Sequence, residues 1–225
     1  MNESRAISSL RLWQLISPAL PVGAYAYSQG LEYAVESHWV HDEKSASRWI
    51  LGNLRHNFAC LDLPILKRLI QAWNAGDGER IEYWNRYLLC SRETRELRGE
   101  DGQMGAALQR LLLELGLSKA DRWSQAEVGF ACMFALAASA WKIEEPEAAR
   151  GYAWAWCENQ VTAAIKLIPL GQSAGQRILF AASGAIVDAV SQSRKMADED
   201  LGVLSTGLAI ASSRHEMQYT RLFRS

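Results

Sequence analysis

The sequence has 225 residues, 49 % of them hydrophobic and 22 % charged, with 24 Lys and Arg against 25 Asp and Glu and a formal net charge of −1. This composition excludes a disordered chain, which needs low hydrophobicity and high charge. It also argues against nucleic-acid binding, which needs a basic footprint. A chain this long can bury a substantial core, and near-neutrality leaves little self-repulsion to oppose association with other proteins.

The opening "MNESRAISSLRLWQLIS" lacks a charged-then-apolar leader, so export is not expected. Leu12, Leu15 and Ile16 mark a first helix over 5–16. Next comes "SPALPVGAYAYSQGLEYAVE", Ser17 to Glu36, with two prolines, two glycines and three tyrosines. Prolines fix φ, glycines permit unusual backbone and tyrosines give rigid amphipathic area. The segment reads either as a preorganised contact surface or as a tight connection packed on the core, leading into a helix over 28–38. Asp42 or Ser45 can cap a helix over 43–58 that carries Trp49, Leu54 and Phe58. Helices over 62–75 and 78–91 flank the turn "NAGDG", the second with Ile81, Trp84, Tyr87 and Leu88 on one face.

Short helices over 92–98 and 102–116 follow, the latter striped by Met104, Leu108, Leu111, Leu112 and Leu115. A helix over 123–142 contains the uncharged run "VGFACMFALAASAW". That run is shorter than the roughly 20 apolar residues of a membrane span, so it reads as buried. Helix 146–168 is apolar almost all round and should be central, with Pro146 in its first turn and Pro169 beyond its end. Glu158, Thr162 and Lys166 step by four and share one face. Segment 172–195 is rich in Gly, Ala and Ser, which allows close approach of another helix or another subunit, and a last helix runs over 203–219. Alternating β-branched runs are absent. The expectation is an all-α, single-domain bundle of about ten helices around a central apolar helix, spanning 1–225, with 1–9 and the tail 219–225 able to move.

Signs of chemistry are sparse. Cys60, Cys90, Cys132 and Cys157 form no CxxC pair and read as buried, reduced thiols of a cytoplasmic protein. His38 and His41 lack a nearby third ligand, and "HEMQY" at His215 has Tyr219 where a zincin has its second histidine. "GEDGQMG" follows a charged helix rather than a strand, no Walker or GxSxG motif occurs, and "DED" at Asp198 reads as a polar loop. An enzyme is the weaker reading. In "CSRETRELRGEDGQMG", Arg92, Arg95 and Arg98 step by three beside Glu93 and Glu96, with Arg92–Glu96 the only good opposite-charge i, i+4 pair, in the weaker orientation. This is either a solvated helix or a protein-docking surface. "RHEMQYTRLFRS" interleaves Arg214, Arg221 and Arg224 with Tyr219, Leu222 and Phe223, more than a tail easily buries in its own core.

Five blocks in order, the Ser17–Glu36 segment, "DLPILKRL", "CSRETREL", "AAIKLIPLGQ" and "ASSRHEMQYTRLFRS", resemble the UreF-type urease accessory proteins from about Leu10 onward. Residues 115–125 and 191–200 carry no resemblance. The resemblance implies an all-α, dimeric, non-catalytic protein that bridges UreD (UreH in some systems) and the GTPase UreG on apo-urease. It implies a part in nickel delivery and an influence on GTP hydrolysis. No cofactor is expected to bind tightly and no metal site is assigned, though nickel passes through the assembled complex; nucleic acid and membrane are not expected partners. By matching blocks, Tyr25, Ser28, Gln29, Gly30, Glu32, Arg92, Glu93, Arg95, Glu96 and Lys166 fall on the UreG side, with Glu32 gating the GTPase. Arg214, Tyr219, Arg221, Leu222, Phe223 and Arg224 fall on the UreD side, ordering on binding. An arginine finger from Arg92, Arg95 or Arg98 is disfavoured because neighbouring glutamates would hold it, so control of UreG is expected to be indirect. The rivals are an adaptor of an unrelated assembly and a nickel carrier using His38, His41, Cys60 or His215.

Overall fold

Local chemistry explains where four of the helices start. Asp42 accepts from the Ser45 N–H at 2.7 Å while the Ser45 hydroxyl accepts from the Asp42 N–H at 3.0 Å, a capping box. Asp77 and Thr94 accept from Arg80 N and Leu97 N in the same way. Pro146 stands in the first turn of its helix, and Gly76, at φ 68°, closes another.

The computed structural model describes residues 3–123, 127–202 and 205–225. Among them are ten α-helices and no strand. The first five are α1 (Glu3–Leu15), α2 (Leu31–Glu36), α3 (Glu43–Asn53), α4 (Asp62–Ala75) and α5 (Gly78–Cys90). The others are α6 (Arg95–Glu114), α7 (Phe130–Ala140), α8 (Glu145–Leu167), α9 (Gln172–Ser193) and α10 (Thr206–His215). No helix of the described residues is long and apolar enough to cross a membrane.

α8 is the central element: it packs along α9 and also meets α1, α2, α3, α4 and α7. Gly175 lets α9 approach, since a Cβ there would lie 2.5 Å from Ile165 Cδ1. α7 is buried at every position from Ala131 to Ala138, packed between α4 and α6. One continuous apolar core joins these helices.

Several boundaries differ from expectation. Helices 92–98 and 102–116 are one helix, α6, running through the break expected at 99–101. Tertiary contact outweighs the cost of a helical glycine, about 1 kcal/mol. Gly105 lies against the 128–129 backbone, where a Cβ would be 2.1 Å from Val128 O. Helix 43–58 ends at Asn53 and continues as a π turn over Leu54–Phe58. Helix 28–38 shortens to α2, and His38 adopts φ 58° just beyond it. Of the helix expected over 123–142, α7 forms from 130, and positions 124–126 lie outside the described residues. The last helix begins at Thr206 and ends at His215, with positions 203 and 204 also outside. Cys60, Cys132 and Cys157 are buried as expected, but Cys90 is exposed at the end of α5.

Candidate functional site

The Ser17–Glu36 segment, the start of α6, α10 and the final residues converge on one buried polar seam. Gly30, at φ 76°, starts α2 and touches α10 so closely that a Cβ would lie 2.8 Å from Ser212 N. This approach brings Glu32 to His215. His215 is fully buried, its Nε2 3.1 Å from Glu32 Oε2 and its Nδ1 2.7 Å from Glu96 Oε2. With both carboxylates ionised, the two bonds form together only when both ring nitrogens carry hydrogen. Leu222 N and Phe223 N donate to Glu32 at 2.6 and 2.9 Å, and Arg221 donates to Glu96 Oε1 at 2.6 Å. Glu32 therefore ties the tail to α10.

Beside it lies an ionic cluster. Arg92 donates to Asp62 at 2.7 Å and, through Nε, to Asp101 at 2.9 Å. Asp101 also accepts from Phe130 N at 2.7 Å, which fixes the start of α7. Burial works against the Arg92 charge, but Asp62 and Asp101 outweigh it and hold its pKa well above the ordinary value. Burial pushes Asp62 up, and Arg92 offsets this only in part. Glu100 accepts from Gln29 and from Ser225 Oγ, yet burial pushes its pKa up to about 7. Gln29 in turn accepts from Trp156 Nε1 at 2.8 Å, which helps hold its backbone at φ 54°.

The expected site residues therefore divide. Ser28, Gly30, Glu32 and Phe223 are buried, and Gln29, Arg92, Glu93 and Glu96 are partly so. The Glu32 carboxylate is an internal fastener rather than a surface group. Tyr25, Arg95, Lys166, Arg214, Tyr219, Arg221, Leu222 and Arg224 are exposed. Lys166 sits over the Phe223 ring at 5.6 Å, so the two expected partner sides adjoin. The i, i+4 pair Arg92–Glu96 is replaced by longer-range partners, because Arg92 precedes α6 and lies off its helical register. Arg92 is held by aspartates and Arg98 by Glu127 at 2.6 Å, not by their neighbouring glutamates.

Sequence reading missed Asp62, Glu100, Asp101 and His215 as members of this seam. The signals were there in "DLPILKRL", "GEDG" and "HEMQY", but their partners are distant in sequence. Among the described residues no three His, Cys, Asp or Glu side chains are grouped to hold a metal ion. Burial pushes the Cys132 and Cys157 thiols up to about 12, which leaves them unreactive.

A cavity of about 170 Å³ opens beside the seam, between residues 15–25, the π turn, the start of α6 and the outward face of α8. Its strongest ionic groups, Asp62, Arg92 and Asp101, are already spent on one another.

A family model described as UreF matches residues 40–183. A protein named "Urease accessory protein UreF" from Alkalilimnicola ehrlichii is 49 % identical over 220 residues, covering 97 % of this chain and 96 % of its own. A protein of the same name from Teredinibacter turnerae is 48 % identical over 96 % of this chain and 98 % of its own. Another from Chromohalobacter salexigens is 45 % identical over 95 % and 93 %.

Proposed function

The chain belongs to the UreF family of urease accessory proteins, and from that premise we propose that it is a non-catalytic scaffold that bridges UreD and UreG for nickel delivery to apo-urease in the cytoplasm. It works as a dimer and modulates GTP hydrolysis by UreG, or couples hydrolysis to metal transfer. Nickel is cargo here and meets only transient ligands on its way through the assembled complex.

One observation carries the reading: Glu32, His215, Glu96 and Arg221 join the UreG-side and UreD-side segments into one bonded unit. A partner that pulls on the tail thereby pulls on α2 and on the start of α6. Because Glu32 is 7 % exposed, its influence on the GTPase runs through the placement of these segments rather than through direct contact with nucleotide. The exposed Tyr25, Arg95, Tyr219 and Leu222 supply the contact area around it.

The test is reconstitution of apo-urease with UreG, UreD and GTP, with and without this chain, followed by metal analysis of the urease. Nickel incorporation should depend on the chain. Equal nickel content in both mixtures would sink the proposal. In the complete mixture, Glu32→Gln should change GTP turnover and nickel content together.

A further inference from the structure

The cavity beside the seam has a lining whose bonding is incomplete. At about 170 Å³ it is close to an engineered cavity of about 150 Å³ that takes up a benzene ring, so it holds one large side chain. Pro18, Tyr25 and Thr162 form an exposed rim. Phe58 stacks on Tyr152 at 5.2 Å and on Trp156 at 5.0 Å, which makes a flat aromatic wall. Asn57 and Tyr152 are 9 % and 6 % exposed, and neither side chain makes a hydrogen bond among the described residues. Their polar atoms are reached by solvent through the cavity, so water satisfies them when it is empty and the donors of an occupant can replace that water.

Charge narrows what the occupant is. Arg92 is the one basic residue in the lining and is committed to Asp62 and Asp101. Glu93 and Glu158 also line the cavity, and neither pairs with a basic side chain among the described residues. The balance is acidic, the wall aromatic and the remaining surface apolar, with Leu20 and Met104 among its members. We propose that this cavity receives one arginine side chain from a partner protein, with Glu93 and Glu158 as its carboxylate partners and the Asn57 carbonyl and Tyr152 hydroxyl as further acceptors. A guanidinium is planar, carries five donors and stacks on aromatic faces, whereas an ammonium has three donors and a stronger hydration shell. An arginine anchored in a pocket beside exposed apolar residues is a common form of binding hot spot. The proposal deepens the docking reading above and rests on it for the identity of the partner.

Benzamidine, an aromatic amidinium, serves as probe, with benzyl alcohol and benzoate as neutral and anionic controls. Full-length protein is titrated with each, followed by tryptophan fluorescence, to which Trp156 contributes, and by ligand-observed saturation-transfer NMR. Benzamidine should bind saturably, benzoate should not, and benzyl alcohol should bind at least tenfold more weakly. The double variant Glu93→Gln/Glu158→Gln should weaken benzamidine about tenfold, as expected for loss of a charge-assisted bond. Equal binding of alcohol and amidine, an unchanged affinity in the double variant, or no saturable binding overturns the proposal. A second arm identifies the source of the cation. Immobilised wild-type protein and the double variant are compared for capture of UreG and UreD, and the variant should retain less than a tenth. Undiminished capture overturns the arginine anchor while the docking reading stands. If wild type itself captures neither protein, the docking reading fails instead, and the titration still decides whether the cavity accepts a cation.

Discussion

Two adjoining regions bury polar groups in opposite ways. In the seam, Glu32 receives two backbone N–H donors and faces His215, which Glu96 faces from the other side. In the cavity, Asn57 and Tyr152 are also buried as residues, but their polar atoms have no such partners among the described residues and meet solvent through the cavity. The same helices build both: α6 gives Glu96 to the seam and Glu100 to the border, while α8 gives Gln160 to the Ser28 carbonyl and Glu158 to the cavity. Burial alone therefore does not distinguish a fastener from a receptor; the state of the bonding does. Breaking the seam should cost stability, and simplifying the cavity should cost only recognition.

The sharpest way to break the contrast is Arg92→Ala. It leaves Asp62 and Asp101 buried without their counter-ion, and urea unfolding should show a loss of about 3–5 kcal/mol. Glu32→Ala comes next. It strips the acceptor from Leu222 N, Phe223 N and His215 and should cost about 2–4 kcal/mol. Amide hydrogen exchange at 222 and 223 should then rise sharply; unchanged protection would mean that something else holds the tail.

Glu100 sharpens the comparison through pH. Its folded value near 7 exceeds the ordinary 4.5, so the folded chain binds the proton more tightly than the unfolded one. The associated stability is complete below about pH 4.5 and is lost as pH rises through 7. Relative to Glu100→Gln, wild type should lose up to about 3 kcal/mol between pH 4.5 and pH 8. A difference that stays flat across that window contradicts the burial account of Glu100. Smallest of all, Tyr152→Phe and Glu93→Gln/Glu158→Gln should shift unfolding by no more than about 0.5 kcal/mol, because no bond of the folded chain is lost. A loss above 2 kcal/mol in either would move these residues into the seam.

Much of the fold was legible because a helix declares itself locally. Leu108 and Leu112 lie on the buried face that their spacing required, and Asp42 caps α3 where a cap was expected. What escaped was set by tertiary contact. Residues 99–101 were expected to break the helix, yet α6 runs through them, and Gly105 further along is where it meets the 128–129 backbone. Arg92 was matched to Glu96 by helical spacing, whereas its partners stand 30 residues before it and nine after. Glu32 was singled out by resemblance alone, and its burial depends on His215, 183 residues away. The cavity had no signature in sequence at all. A void is a shortfall of side-chain volume shared among several elements, and no single window of residues carries it.

The bond from Phe223 N to the Glu32 carboxylate spans 191 residues, nearly the whole chain. A ribosome adding about 5–20 residues per second needs roughly 10–40 s to bring the second partner into existence after the first. Throughout that interval α2 has its glutamate but neither the imidazole nor the amides that satisfy it. The amino-terminal segment can be made early, but it is locked only once residue 223 has been added, and a product truncated before that point would leave the ribosome with that carboxylate open to water and to other chains.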